Sequence, residues 1–212
     1  MAELARISVI IPFKNEQNRL PQTVETVLAY LSSVDSDFEL ILVDDGSTDS
    51  SIDALAPYIS DCRVRLIQHK ANLGKGAAVR TGVLESNGEL VMFSDADLAT
   101  PIEELEKLSE AINQGFDIAI GSRAIDKSCV LERQGIHRVI IGQLGNVMIK
   151  TILGLPFLDT QCGFKMYRRQ VARELFSDLQ SPRWSFDYEI LSRAHRRGMR
   201  SRSSSARAGS RA

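Results

Sequence analysis

Four short, largely apolar runs, the first closed by a proline and the others by a polar or charged residue, limit what this chain can fold into. They are Ile7-Ser-Val-Ile-Ile-Pro12, Phe38-Glu-Leu-Ile-Leu-Val43, Val64-Arg-Leu-Ile-Gln68 and Leu90-Val-Met-Phe93. Runs of this length and composition read as buried strands rather than helices. Between them lie helical patterns: Leu20 to Leu31, a segment capped by Thr48 or Asp49 that runs to about Tyr58, and one opened by Asn72-Leu-Gly-Lys-Gly76 that runs to Glu85. Thr100-Pro-Ile-Glu103 has the form of a capping box with proline at the first helical position, opening a helix to about Asn113. Phe116 to Gly121 reads as a fifth strand. The alternation predicts an α/β fold with a mostly parallel sheet and helices on both faces.

Three of these strands deliver acids to one edge of that sheet: Glu16 after the first, Asp44 and Asp45 after the second, Asp95 and Asp97 after the fourth. The carboxyl edge of an open α/β sheet is where ligands bind. Two carboxylates one residue apart repel unless a cation lies beside them. Hard oxygen donors suit Mg²⁺ or Mn²⁺, commonly shared with substrate phosphates. Ser94-Asp-Ala-Asp97 therefore reads as a metal-diphosphate clamp. A single acid at a strand end is usually a turn residue or a cap; three convergent sites ask for more. Asp45-Gly-Ser47 alone is a weak turn signal, although a carboxylate there suits the imide N–H of a uracil or the amino group of a guanine. Gly74-Lys75-Gly76 lacks the full phosphate-loop pattern, yet its glycines let backbone N–H groups approach an anion and Lys75 adds a point charge. A plain loop-to-helix turn fits the same residues. Arg123 and Arg138 suit a second phosphate, whereas Arg133 reads as surface charge. His69 and His137 have no companion ligand at helical spacing, and no nucleophilic triad is recognisable.

Composition is that of a globular chain, with 43% hydrophobic and 25% charged residues. Cys62, Cys129 and Cys162 have no metal-ligand spacing and read as reduced thiols. No run reaches the length of a membrane span, so a cytoplasmic protein, soluble or peripheral, is expected. Beyond Gly121 the rhythm changes. Ser122 to Gln134 is polar, Arg138 to Leu153 an amphipathic helix, Asp159 to Arg169 a loop with a short strand, and Phe186 to Arg197 a last helix. This predicts one domain over 1–198, with a nucleotide half at 1–121 and an acceptor half at 122–198. Seven of the 26 Lys and Arg lie in the last twenty residues, where no acid occurs; 19 basic residues then face 27 acids in the rest, a net of −8. Residues 199–212 read as a disordered, solvated Arg/Ser tail, in place of a lipid or nucleic-acid contact, on a domain cut short.

Taken together, Val9-Ile-Ile-Pro-Phe-Lys-Asn-Glu16, Val43-Asp-Asp-Gly-Ser-Thr-Asp49, Asn72-Leu-Gly-Lys-Gly-Ala77 and Ser94-Asp-Ala-Asp97 resemble the family 2 glycosyltransferases of GT-A fold, over roughly residues 7 to 198. Gly121-Ser-Arg123 and Asp159-Thr-Gln-Cys-Gly-Phe-Lys165 are similar to the branch that acts on polyprenyl phosphates. The resemblance implies an inverting, Mg²⁺- or Mn²⁺-dependent transfer of a hexose, glucose from UDP-glucose, to a polyprenyl or dolichyl phosphate at a membrane surface. It implies that Pro12 and Glu16 line the base and ribose, that Asn15, Asp44, Lys75 and Ala96 also belong to the donor site, and that Asp45 binds the base. Asp95 and Asp97 would hold metal and donor, with Asp97 the direct ligand. Arg123 and Arg138 would receive the acceptor phosphate or the donor diphosphate, with Gln161 on the acceptor side. Asp95, Asp97 and Arg123 form the implied catalytic set. The family's mannose synthases often carry serine four residues past the second arginine, where this chain has Gly142. A phosphate acceptor needs no strong base. A sugar-hydroxyl acceptor, as in a polysaccharide-directed member, would need one, and Asp187 or Glu189 is then the candidate; otherwise both simply begin a helix. A donor-binding remnant without turnover is the other alternative.

Overall fold

The computed structural model describes residues 6–34, 37–122 and 162–205. In chain order the elements are β1 (Ile7–Phe13), α1 (Leu20–Ser33), β2 (Phe38–Asp44), a 3₁₀ turn (Asp53–Leu55), β3 (Val64–Gln68), α2 (Lys75–Glu85) and β4 (Leu90–Ser94). They continue with a 3₁₀ turn (Ile102–Glu104), α3 (Leu105–Asn113), β5 (Ile118–Ser122), β6 (Phe164–Arg168), α4 (Arg169–Ser177), α5 (Phe186–Arg196) and β7 (Ser201–Ser205). The strands form one sheet in the order β3-β2-β1-β4-β6-β5-β7. All neighbours are parallel except β6, which runs antiparallel to both β4 and β5.

The apolar runs bury both faces of the sheet. Ile7, Val9, Ile11, Leu40, Leu42 and Met92 meet α1 through Val24, Val27 and Leu31 and α3 through Leu105, Leu108 and Ile112. Ile10, Ile41, Val43, Val91 and Phe93 meet α2 through Ala78, Val79 and Val83 and α5 through Phe186, Ile190 and Leu191. Successive strand residues thus serve opposite layers, as a period of two requires. Over Ile7 to Ile10, β1 is flanked by both β2 and β4, and pairing with β4 stops at Ile10. Pro12 therefore sits where β1 has β2 alone as a neighbour, a position that tolerates a missing N–H. The chain winds outward through β1, β2 and β3 and then crosses back to β4. This reversal opens a crevice at the carboxyl edge beside β1. Among the described residues no helix is long and apolar enough to cross a membrane.

Several local expectations are corrected. The helix expected from Thr48 or Asp49 to Tyr58 shrinks to the single 3₁₀ turn Asp53–Leu55. Its early N–H groups go elsewhere: Ser50 N–H donates across to Gln17 Oε1 at 3.0 Å, and Ser51 N–H folds back onto Asp49 Oδ1 at 3.0 Å. Pro57 then removes a further donor. The capping box does not form. Pro101 is extended at φ −58°, ψ 144°, the first turn is 3₁₀, and Thr100 Oγ1 lies 3.7 Å from Cys162 Sγ.

The region beyond residue 162 holds more regular structure than its pattern suggests. Ala172, Leu175 and Phe176 share the buried face of α4, a helix that the sequence reading passed over. The stretch read as a disordered tail contains β7, which pairs with β5 from Ile118↔Ser201 to Ser122↔Ser205. Backbone groups make that pairing, so the poor side-chain composition does not prevent it. Arg200 N–H donates to Asp117 Oδ2 at 2.9 Å, and the Arg202 guanidinium lies 5.7 Å from the Phe116 ring centroid. Residues 206–212 and the helix expected over Arg138 to Leu153 lie outside the described residues.

Candidate active site

The loops after β1, β2 and β4 and the start of α2 meet at the carboxyl edge through a continuous set of contacts. After β1, Asn15 takes a left-handed backbone at φ 55°. Its N–H donates to Ser47 Oγ at 2.9 Å, and its side-chain oxygen accepts the Thr48 N–H at 2.8 Å. Glu16 N–H donates to Ser51 Oγ at 2.8 Å, while the Glu16 carboxylate pairs with Arg19 at 3.1 Å. Asp49 steadies this loop pair. The Ser51 hydroxyl donates to it at 2.6 Å and, with backbone N–H groups, holds its carboxyl below the usual range. Pro12 is buried at the end of β1.

After β2, the two neighbouring aspartates do different work. Asp44 is buried and its Oδ1 accepts the Ser47 N–H at 2.9 Å, closing the turn. Asp45 is also buried, and its carboxylate reaches across to the next loop. Oδ1 accepts the Leu73 N–H and Oδ2 the Gly74 N–H, both at 2.8 Å, and His69 Nδ1 lies 3.1 Å from Oδ1. Thr81 Oγ1, 3.0 Å from His69 Nε2, fixes the other side of that ring. Asp45, expected to bind a base, is thus committed largely to the Leu73–Gly74 turn, with one lone pair of Oδ2 left over. His69 serves as an orienting group there.

Gly74 holds φ 105°, and a Cβ on it would fall 2.5 Å from the Pro182 carbonyl oxygen. Only glycine lets this turn pack against the segment leading into α5. The turn aims Lys75, the first residue of α2, at Asp95, and the ammonium forms an ion pair with Asp95 Oδ1. The Trp184 ring, 70% exposed, lies 5.0 Å from the same ammonium. Lys75 is therefore part of the acid edge and not a solvated surface lysine.

The Asp-x-Asp turn is held from three sides. The Thr23 hydroxyl on α1 donates to the Ala96 carbonyl at 2.6 Å. Asp95 N–H donates to the Gly163 carbonyl at 3.0 Å. Asp97 is exposed and its Oδ1 accepts the Ala99 N–H at 3.0 Å. Leu98 takes φ 44° as the chain turns away. Among the described residues no group of three or more His, Cys, Asp or Glu side chains could hold a metal by itself. A carboxylate pair still fits Mg²⁺ or Mn²⁺, since such ions take one or two carboxylates and complete their shell with phosphates and water.

Beneath this edge lies a feature that sequence reasoning missed. Lys165 on β6 is completely buried, and its ammonium donates to Asp187 Oδ1 at 2.5 Å and to the Cys162 carbonyl at 2.6 Å. Asp187, at the start of α5, is 4% exposed. Burial pushes its carboxyl upward, against the opposing pull of Lys165. Glu189 is drawn into backbone capping, accepting the N–H groups of Gln180 at 2.9 Å and Ser181 at 2.8 Å, and it pairs with Arg193 at 2.6 Å. The sequence signal for the buried pair was a lysine in the middle of an apolar strand, Phe164-Lys-Met-Tyr167, which cannot lie in a two-sided sheet without a partner. Arg123, Arg138 and Gln161 lie outside the described residues.

Comparison with known proteins places this arrangement. The sequence profile described as Glycosyl transferase family 2 matches residues 8–176. The dolichyl-phosphate beta-glucosyltransferase of Dictyostelium discoideum is 33% identical over 199 residues, covering 87% of this chain and 61% of the relative. The Homo sapiens protein of the same name is 36% identical over 203 residues, covering 88% of this chain and 62% of its own length. The chain therefore spans about three fifths of the curated relatives it matches. Among solved structures, the glucosyl-3-phosphoglycerate synthase of Mycobacterium tuberculosis, in complex with Mn²⁺, uridine diphosphate and phosphoglyceric acid, superposes with a TM-score of 0.69 at 19% identity, over 98% of this chain and 72% of the other. A mannosyltransferase from Pyrobaculum calidifontis, in complex with GDP-Man and Mn²⁺, gives 0.64 at 17%, over 95% and 56%. These structural likenesses concern the fold, which is GT-A. The profile match runs from β1 into α4 and takes in every acid of the carboxyl edge, and on that basis the chain belongs to glycosyl transferase family 2.

Proposed function

We propose that this protein transfers glucose from UDP-glucose to the phosphate of a dolichol or another polyprenol at a membrane surface, with inversion at the sugar carbon. The names of the curated relatives support the acceptor and the sugar, and uridine diphosphate in a solved neighbour supports the donor. The observation that carries the reading is the meeting of Lys75 with Asp95 beside Asp97 at the carboxyl edge. A cation beside two carboxylates suits a metal-bound diphosphate, which supports this reading.

In this reading Asp45 and His69 keep the Leu73–Gly74 turn closed so that Lys75 stays at the site. Lys75 exchanges Asp95 for a donor phosphate oxygen, a charge-assisted contact of the stronger kind. Asp95 and Asp97 would hold a divalent cation, Asp97 as its direct ligand. A bound Mg²⁺ or Mn²⁺ neutralises the charge that builds on the departing diphosphate. Pro12, Asn15, Glu16 and Asp44 shape the base and ribose side, and Ala96 lines the turn. Arg123, Arg138 and Gln161 serve the acceptor phosphate. That phosphate is ionised near neutral pH and attacks without a base. The state of Asp187 supports this choice of acceptor: a buried carboxylate bound to Lys165 is poorly placed to take a proton from a sugar hydroxyl.

The test is transfer of radiolabelled glucose from UDP-glucose to dolichyl phosphate with Mn²⁺, with GDP-mannose in parallel and Asp97→Ala as the control. Label in the lipid phase that disappears in the variant is the expected result. Label moving only to sugar acceptors would overturn the acceptor assignment, and preference for GDP-mannose would overturn the donor. UDP binding without any transfer would identify a donor-binding remnant.

A further inference from the structure

Among the described residues Lys165 is the one basic side chain that is wholly buried. It sits mid-sheet, paired in register with Phe93 of β4 on one side and Ile120 of β5 on the other. Its ammonium passes the Phe93 ring at 5.2 Å and ends on Asp187 Oδ1 and on the carbonyl of Cys162. A buried ion pair is weak evidence of a gain in stability, because an apolar pair of similar volume is often as stable. What an apolar side chain cannot do is grip the Cys162 carbonyl.

That carbonyl belongs to the turn on which the Asp-x-Asp motif rests. Gly163, the next residue, accepts the Asp95 N–H at 3.0 Å. It lies so close to the Asp95 carboxylate that a Cβ on Gly163 would fall 1.9 Å from Oδ2. The direction of the Asp95 carboxylate is therefore set by where the Cys162–Gly163 turn stands. The Lys165 ammonium sets the turn, and Asp187 sets the ammonium.

We infer that Lys165 and Asp187 are positioning residues: their buried pair holds the Cys162–Gly163 turn so that Asp95 faces a cation-bound diphosphate. The inference rests on the reading of Asp95 and Asp97 as that site. Partners of metal ligands commonly carry a 10- to 100-fold effect on metal affinity. The apolar pair Lys165→Met with Asp187→Leu removes both charges and keeps the packing. It separates positioning from stability, since no charge is left buried alone.

The experiment is calorimetric titration of UDP into each protein, with Mn²⁺ and with chelator, alongside thermal unfolding. In the unaltered chain Mn²⁺ strengthens UDP binding. In the double variant the melting temperature and the metal-free UDP affinity stay close to those of the parent, while the Mn²⁺ enhancement falls about 10-fold or more. Enhancement kept within about twofold of the parent overturns the inference, and so does an equal loss of metal-free affinity. Should the double variant not fold, Lys165→Met alone decides on the same ratio, because it takes the donor from the Cys162 carbonyl while Asp187, its carboxyl already pushed up by burial, can take a proton. A fall supports positioning, and no change overturns it. If the unaltered chain shows no Mn²⁺ enhancement, the reading of the site fails, and this inference falls with it.

Discussion

At the scale of single residues, the carboxyl edge depends on side chains whose roles follow from distance rather than type. Lys75 is the clearest case. Its sequence context fits an ordinary helix start as well as a phosphate contact; the structure pairs its ammonium with Asp95, and the proposed function makes it a donor-phosphate contact. Lys75→Met is expected to weaken UDP binding in the presence of Mn²⁺ by about 10-fold, the equivalent of one charge-assisted hydrogen bond. Titration of UDP checks this, and unchanged affinity would remove Lys75 from the donor site. Gly163 is the second case. Gly163→Ala puts a methyl into the Asp95 carboxylate and must displace one or the other. Glucosyl transfer is expected to fall by about 100-fold or more, while far-UV circular dichroism stays that of the parent; a shift of about an ångström at a reacting centre costs that much. Asp45 was legible as an acid of the carboxyl edge from its place after β2. Its bonds to Leu73 and Gly74 were not, because they join residues 28 and 29 positions apart.

At the scale of elements, β1, β2 and β4 were readable because they are buried on both faces. Phe38–Asp44 and Leu90–Ser94 have no exposed residue, and their apolar runs coincide with their lengths. The exceptions lie where local pattern competes with distant contacts, as in the cross-loop bonds that shorten the helix after Asp49. One polar residue inside β2 shows how such an exception is stabilised. Glu39 is buried, and its carboxylate accepts the Ser8 hydroxyl at 2.6 Å, the Asn87 N–H and Arg65 at 3.3 Å. Burial alone would raise its pKa, but those hydrogen bonds prevail and hold the carboxyl below its ordinary value. A lowered folded-state pKa contributes stability that is complete above the unfolded value and is lost as pH falls through the folded one. Glu39→Gln is expected to cost about 2 kcal/mol at neutral pH. It should also flatten the decline of stability below about pH 4.5, the range in which an unfolded glutamate titrates. Chemical denaturation at a series of pH values measures both, and an acid limb as steep as the parent's would contradict the assignment.

At the scale of the whole molecule, the order β3-β2-β1-β4-β6-β5-β7 puts the reversal of winding beside the acid edge, which is why three separate loops can serve one site. The parallel half of the sheet and its acids could be read from alternation. The antiparallel insertion of β6 could not, because nothing in Phe164–Arg168 specifies strand direction. β7 was hidden for a related reason: an edge strand can be recruited by the backbone of β5 with little help from its side chains. Removing residues 199–212 leaves the β5 edge unpaired. The expected result is a lower melting temperature and more aggregation on heating than in the parent. Light scattering during thermal unfolding checks this, and an unchanged transition would mean that β7 contributes nothing to stability.

The account as a whole turns on whether the Asp-x-Asp edge takes a cation-bound diphosphate. The most direct measurement is an anomalous difference map from crystals of the protein grown with UDP and Mn²⁺. The account predicts one strong peak bonded to Asp97, next to Asp95 and to the diphosphate, with the Lys75 ammonium moved from Asp95 to a phosphate oxygen. A diphosphate seated away from this edge, or at it with Lys75 still on Asp95 and no peak at Asp97, would contradict it.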